Sequence, residues 1–230
     1  MLVRDIMQSH PVSATLETRL PDLVRVLQRR GFRHLPVLHE GRLVGILCDR
    51  DVKQAMTSAS LATEGRARDL LLDGLTAGQI MSRRVWTIGP TRGVEEAARL
   101  MATQRISALP VTEGDRLLGI VTETDILALF VRSLGVLEAT SRLDVVVEDQ
   151  AASLAEIIGL VERSGIRICS LMTLETSGRR ELVLRVATAD PAPAVEALRA
   201  AGHTVRDPRP EAAEPNAGCR KPPGTEAATR

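Results

Sequence analysis

Two carboxylates, each with a polar or sulfur side chain three residues before it, recur at one spacing in this chain and carry acceptors that suit neighbouring hydroxyls. Asp51 follows Cys48, and Asp125 follows Thr122. An ionised carboxylate accepts at two oxygens and so can take two neighbouring hydroxyls at once. The Thr122 hydroxyl donates and accepts, whereas the Cys48 thiol does both weakly. The two places are therefore not equivalent, and Thr122 with Asp125 is expected to form the better site. Arg50 partly offsets this at the first place, because it could meet phosphate where the second has Thr124. Each Asp also falls where an apolar run gives way to a helical pattern, the N-cap position, and a cap can coexist with a ligand role.

Catalytic signals are sparse. His10, His34, His39 and His203 form neither an HxH nor an HExxH pattern, so no metal site is expected. GxSxG, P-loop and GxGxxG motifs are missing from the sequence. Cys48 ends an apolar run with no evident base partner, and reads as a structural thiol rather than a nucleophile. A non-enzyme with no required cofactor is expected.

Composition narrows the class further. The 230 residues include 30 basic and 29 acidic side chains, a formal net charge of +1, which gives no electrostatic footprint for nucleic acid or a membrane surface. Two Phe, one Trp and no Tyr leave no stacking platform for single strands. Cys48, Cys169 and Cys219 are an odd, dispersed set, which points to reduced thiols and a cytoplasmic protein. Neither a signal-peptide pattern nor an apolar run of membrane-spanning length stands out.

The elements that position the two carboxylates are written twice. Leu35 to Asp51 and Leu109 to Asp125 match at 8 of 17 positions, where roughly one match is expected by chance. The same offset of 74 residues superposes Ile6-Met7 on Ile80-Met81 without a gap. This is an internal duplication. Each copy reads as strand, helix, two strands, helix. In the first, Pro11-Val12-Ser13 is extended, and Leu20, Leu23, Val24 and Leu27 form one helical face ended by Gly31. Two apolar runs flank the turn His39-Glu40-Gly41-Arg42, and Asp51 opens the next helix. In the second, Trp86-Thr87-Ile88 is the first strand, and Val94, Ala97, Ala98 and Met101 line the helix. The boundaries expected are 1–60 and 77–137 for the copies, with a connecting helix at 61–76.

Past Arg142 the pattern is β-α-β-β-α-β: a strand at Leu143–Val147, a helix through Ile157 and Val161, and two strands around Ser177-Gly178. A helix after Pro191 and a last strand at His203–Arg206 complete it. This unit spans 142–207, and 208–230, rich in Pro, Ala and Glu, is expected to be disordered. The fold class is α/β (α+β).

Ile-Met, then Leu-Pro-Val, then Gly-h-h-(Thr/Ser)-x-x-Asp, in two registered copies, resembles the CBS domain. A tandem pair of these resembles a Bateman module over about residues 1–135. The last unit resembles an ACT domain, on topology and on Asp149-Gln150-Ala151-Ala152-Ser153-Leu154. Tandem CBS domains followed by ACT is the arrangement of acetoin-utilisation proteins of the AcuB type. The resemblance implies a pseudo-twofold pair whose clefts take an adenosine-containing regulatory ligand: AMP, ADP, ATP or an adenosyl cofactor. Asp51 and Asp125 would hold ribose hydroxyls, and Thr122 would meet ribose or phosphate. Ser13, Thr15 and Thr87, on the first strands, would line the adenine and phosphate pocket, with His34 and Ala108 edging the base. Amino-acid-binding ACT domains usually carry Gly where Ala152 stands, which argues against an amino-acid ligand there. Both families dimerise, so a homodimer is expected. A ligand-free dimerisation scaffold and a small-metabolite sensor acting through the ACT-like unit remain the alternatives. The sequence does not identify the protein target.

Overall fold

The computed structural model describes residues 1–30, 32–62, 64–135, 140–147, 152–176 and 179–206. They divide into two compact units, Met1–Phe130 and Val131–Arg230. Gly31, Asp149–Ala151 of the ACT-like motif, the Ser177-Gly178 turn, Cys219 and the 208–230 segment lie outside the described residues.

The first unit opens with a 3-10 turn at Val3–Asp5, followed by β1 (Gln8–Ser9), β2 (Ala14–Thr15), α1 (Leu20–Arg30), β3 (His34–His39) and β4 (Arg42–Cys48). Next come α2 (Asp49–Ala62), α3 (Gly65–Gly74), α4 (Ala77–Ile80), α5 (Val94–Gln104), β5 (Ala108–Glu113), β6 (Arg116–Thr122) and α6 (Glu123–Ser133), whose last residues run past this unit. The Leu-Pro-Val runs become β3 and β5, each the antiparallel partner of the strand after it. Glu40 and Gly41 close the first hairpin with φ of 50° and 78°. Two consecutive positive φ values give a turn whose twist matches the flanking strands, and Gly41 supplies one of them without strain.

The duplication is built as an exchange. Gln8 pairs with Ile120 of the second copy, and Ser82 pairs with Ile46 of the first. Leu2 bridges Gly93, and Arg19 bridges Thr76. The 74-residue offset carries each of these pairs onto its counterpart. Each copy's lead segment therefore sits in the other copy's core. Ala77 and Met81 join the cluster of Leu20, Leu23, Leu35, Val37 and Leu47, while Val3 joins that of Met101, Leu109, Val111 and Val121.

Two sequence expectations are corrected. The extended segments Pro11-Val12-Ser13 and Trp86-Thr87-Ile88 are not strands. The first pairs only at Ala14–Thr15, parallel to β3, and the second only through a single Ile88–Val111 bridge. The chain spends the intervening residues crossing from the other copy's sheet back to its own, and Pro11 has no N–H to donate. Asp51 and Asp125 are not N-caps either. Helices α2 and α6 start at Asp49 and Glu123, which puts both carboxylates at the third helical residue.

The second unit contains β7 (Ser141–Val147), α7 (Ala152–Arg163), β8 (Ile168–Thr176), β9 (Arg179–Val186), α8 (Ala192–Ala200) and β10 (Val205–Arg206). Its sheet order is β10-β7-β9-β8, antiparallel at every pairing. This is the split βαβ arrangement read from the sequence. Leu143, Val145, Leu182 and Leu184 face Ile157, Val161 and Leu198 in its core. Among the described residues, no helix is long and apolar enough to cross a membrane.

The exchange rests on close approach at two glycines. A Cβ on Gly45 would lie 2.2 Å from the Met81 sulfur and 3.2 Å from the Ser82 carbonyl oxygen. On Gly119 it would lie 2.7 Å from the Met7 sulfur and 2.9 Å from the Gln8 carbonyl oxygen. A methionine side chain can give way, but a paired backbone cannot do so cheaply. Gly119→Ala is expected to cost about 1–3 kcal/mol and to exceed Gly45→Ala, as read by urea denaturation of the full chain.

Candidate functional site: a cleft at Asp51

Where β4 runs into α2, the Cys48 N–H donates to Asp51 Oδ2 at 2.8 Å. The carboxylate at the third helical residue thus ties back the chain entering the helix, one half of a capping box. The second copy completes the box. Thr122 N–H and Oγ1–H both donate to Asp125 Oδ2, at 2.8 and 2.7 Å, and Asp125 N–H donates to Thr122 Oγ1 at 3.3 Å. A thiol in place of the hydroxyl is why the first copy lacks the side-chain bonds.

Asp51 lines a cavity of about 590 Å³. The first copy contributes Cys48, Asp49, Arg50, Arg33 and His34. The segment entering the second copy contributes Arg84 and Trp86, and that copy adds Arg105, Ser107, Ala108 and Glu123. Of the ten residues read from the sequence, Asp51, Arg50, Cys48, His34 and Ala108 meet here. Thr122, Asp125, Ser13, Thr15 and Thr87 do not line it. Thr122 and Asp125 stand at the pseudo-equivalent place, bonded to each other. The Thr15 N–H is taken by Thr18 Oγ1 at 2.9 Å, and Ser13 and Thr87 are exposed.

Two polar links cross the cleft between the copies. His34 Nε2 lies 2.9 Å from Ser107 Oγ, and Arg33 Nη2 donates to Thr124 Oγ1 at 2.9 Å. Burial, helped by the Arg33 charge, lowers the His34 pKa below its ordinary 6.5, so its ring is neutral at pH 7. Burial, and after it the neighbouring Asp51 carboxylate, push the Cys48 thiol up. Cys48 stays protonated at neutral pH and is a poor nucleophile. Asp49 is held low by the Lys53 ammonium, 2.9 Å away.

Sequence reasoning missed Arg33, Arg84, Arg105 and Ser107, and reached Trp86 only as part of the Trp86-Thr87-Ile88 stretch expected to line the pocket. Arg84 stands over Trp86, its guanidinium carbon 5.7 Å from the ring centroid. Arg105 caps α5 in the left-handed region, with φ 55° and ψ 45°. The residue at the same place in the first copy is Gly31. Charge differences between the registered copies were the available signal for these arginines.

The duplicated motif, the exchanged segments and the cleft at the strand-to-helix junction define a paired ligand-binding module. The CBS domain family model matches residues 3–58 and 77–132. A CBS domain-containing protein of Dictyostelium discoideum, DDB_G0289609, is 33% identical over 138 residues, 58% of this chain and 94% of that protein. The chain belongs to the CBS-domain family, which it enters as a tandem pair. MJ1225 of Methanocaldococcus jannaschii is 35% identical over 133 residues, 56% of this chain; the match spans only about half, 47%, of that relative. The crystal structure of a Vibrio cholerae protein proposed to act in acetoin utilization (AcuB) is similar at 28% identity with a TM-score of 0.51. It covers 60% of this chain and 96% of that one.

Two outcomes follow from this geometry. A non-glycine residue in the left-handed region is strained by about 1 kcal/mol or more. Arg105→Gly is therefore expected to raise stability by roughly 0.5–1 kcal/mol, after the freedom it gives the unfolded chain is subtracted, measured by urea denaturation. His34 binds its proton more weakly folded than unfolded. The unfolded chain therefore holds the extra proton below about pH 6.5, and stability falls as pH drops through that value. Urea midpoints between pH 7 and 5 should fall less steeply for His34→Asn than for the parent.

Proposed function

We propose that this protein is a regulatory sensor whose CBS pair binds an adenosine-containing ligand in the cleft at Asp51. The observation that carries the reading is the Asp51 carboxylate on the cavity wall. One oxygen is engaged by the Cys48 N–H, and the other is available to ribose hydroxyls. Trp86 offers a ring for the base to stack on, and neutral His34, already in register with Ser107, offers a polar edge. Family membership supports the ligand class, and the absence of an activated nucleophile among the lining residues fits regulation rather than catalysis. The cleft is lined by both copies, so a ligand filling it bears on how they pack. Binding acts as a signal only if two arrangements of the pair hold the ligand unequally.

The 142–207 unit is read as an ACT-like domain on its β10-β7-β9-β8 order, and it or a dimer partner relays the change. Exposed Leu70 and Leu127 supply apolar surface for a homodimer. The likeness to the Vibrio cholerae protein supports placing the regulation in acetoin use.

Titration calorimetry of the full chain with AMP tests the core of this. Saturable binding is expected, weakened roughly 10- to 100-fold in Asp51→Ala by loss of hydrogen bonds to a charged group. Absence of AMP, ATP and S-adenosylmethionine binding, or full affinity in Asp51→Ala, refutes the reading.

A further inference from the structure

We infer that the Asp51 cleft is built for the phosphate chain of a nucleoside di- or triphosphate, and that the pseudo-equivalent place at Asp125 is not. The inference rests on the proposed nucleotide reading and adds to it the charge of the ligand and the inequality of the two sites.

Four guanidiniums line the one cavity: Arg33, which donates to Thr124 Oγ1, and, from three separate stretches, Arg50 on α2, Arg84 before Trp86 and Arg105 at the end of α5. None of them is ion-paired to a described residue. Of the three carboxylates that share the lining, Asp49, Asp51 and Glu123, Asp49 is already paired with Lys53 at 2.9 Å. Four arginines against the two remaining carboxylates leave an excess of positive charge on this concave wall, which suits an anion with several charged oxygens, since each planar fork suits a phosphate. A cationic sulfonium such as S-adenosylmethionine is disfavoured in the same field.

The duplication supplies an internal control. Moved by 74 residues, Arg50 becomes Thr124, Arg84 becomes His10 and Arg105 becomes Gly31. None of these three arginines is repeated at the registered positions around Asp125, where Thr124 already accepts from Arg33. The backbone adds a second, independent sign. Arg105 occupies a left-handed cap, with φ 55°, a backbone that glycine adopts without strain, and the residue in register in the first copy's sequence is Gly31. Strain retained at a residue that lines a cavity marks a functional position. Arg105 is the specificity residue of the set.

Calorimetry of the full chain with AMP, ADP, ATP and inorganic tripolyphosphate, at low and at high salt, tests this. ATP is expected to bind with one molecule per chain, about tenfold or more tighter than AMP, the margin shrinking as salt screens it. Arg105→Gly, which relieves strain and should fold, is expected to cut the ATP-to-AMP affinity ratio at least roughly fivefold. Arg105→Lys should restore part of that ratio. Asp51→Ala should weaken ATP, and Asp125→Ala should not. Equal affinity for AMP and ATP, or a preference that survives Arg105→Gly combined with Arg84→Ala, overturns the inference and leaves the sensor reading standing. Tripolyphosphate binding that Arg105→Gly removes, without any nucleotide binding, sustains the anion site and removes the adenosine. No heat with any of the four overturns both.

Discussion

The first unit depends on the burial of Met7 against Gly119 and of Met81 against Gly45. Each methionine belongs to the lead segment of one copy and fills space in the core of the other. Neither copy is complete by itself, because Val3 is needed in one cluster and Ala77 with Met81 in the other. Glycine on β4 and β6 is the condition for this. Any side chain there would hold the incoming strand away and break its pairing with the sheet. The exchange couples the copies mechanically as well. A change in the cleft between them is felt by the segments each has lent to the other.

The same symmetry that builds the pair makes its departures informative. The copies share a hairpin, a helix start and an acidic third residue, so these features are set by folding. Cys48 for Thr122 removes the side-chain half of a capping box and leaves the Asp51 carboxylate less occupied than that of Asp125. Arginine where the other copy has threonine, histidine or glycine sets the charge around Asp51 apart from that around Asp125. Two strand-to-helix junctions of shared geometry thereby acquire different chemistry, at the expense of a strained cap at Arg105 and a weaker helix start at Cys48.

The second unit is held by a separate core. Alternate residues of β7 and β9 pack on Ile157, Val161 and Leu198. Its outer charges are neutralised in pairs, Arg142 with Asp144 at 2.8 Å and Arg206 with Glu181 at 2.7 Å.

Repetition and periodicity in the chain were sufficient to determine the duplication, the helices and the strand pairs that follow them, the Glu40-Gly41 turn and the two acidic positions. These are local properties, set by spacing of apolar residues and by glycines at turns. Where the lead segments go was decided only in three dimensions, since pairing of Gln8 with Ile120 links residues far apart in sequence. The same is true of the cavity. Arg84 and Arg105 come from a connecting stretch and a helix end, neither of which carries a motif, and only packing brings them beside Asp51. The helix starts fell three residues earlier than caps at Asp51 and Asp125 would put them: at the third helical residue the carboxylate accepts from the N–H of the cap residue, whereas a capping aspartate accepts from N–H groups within the first turn. Sequence therefore determined which residues recur, and tertiary structure decided which of them meet.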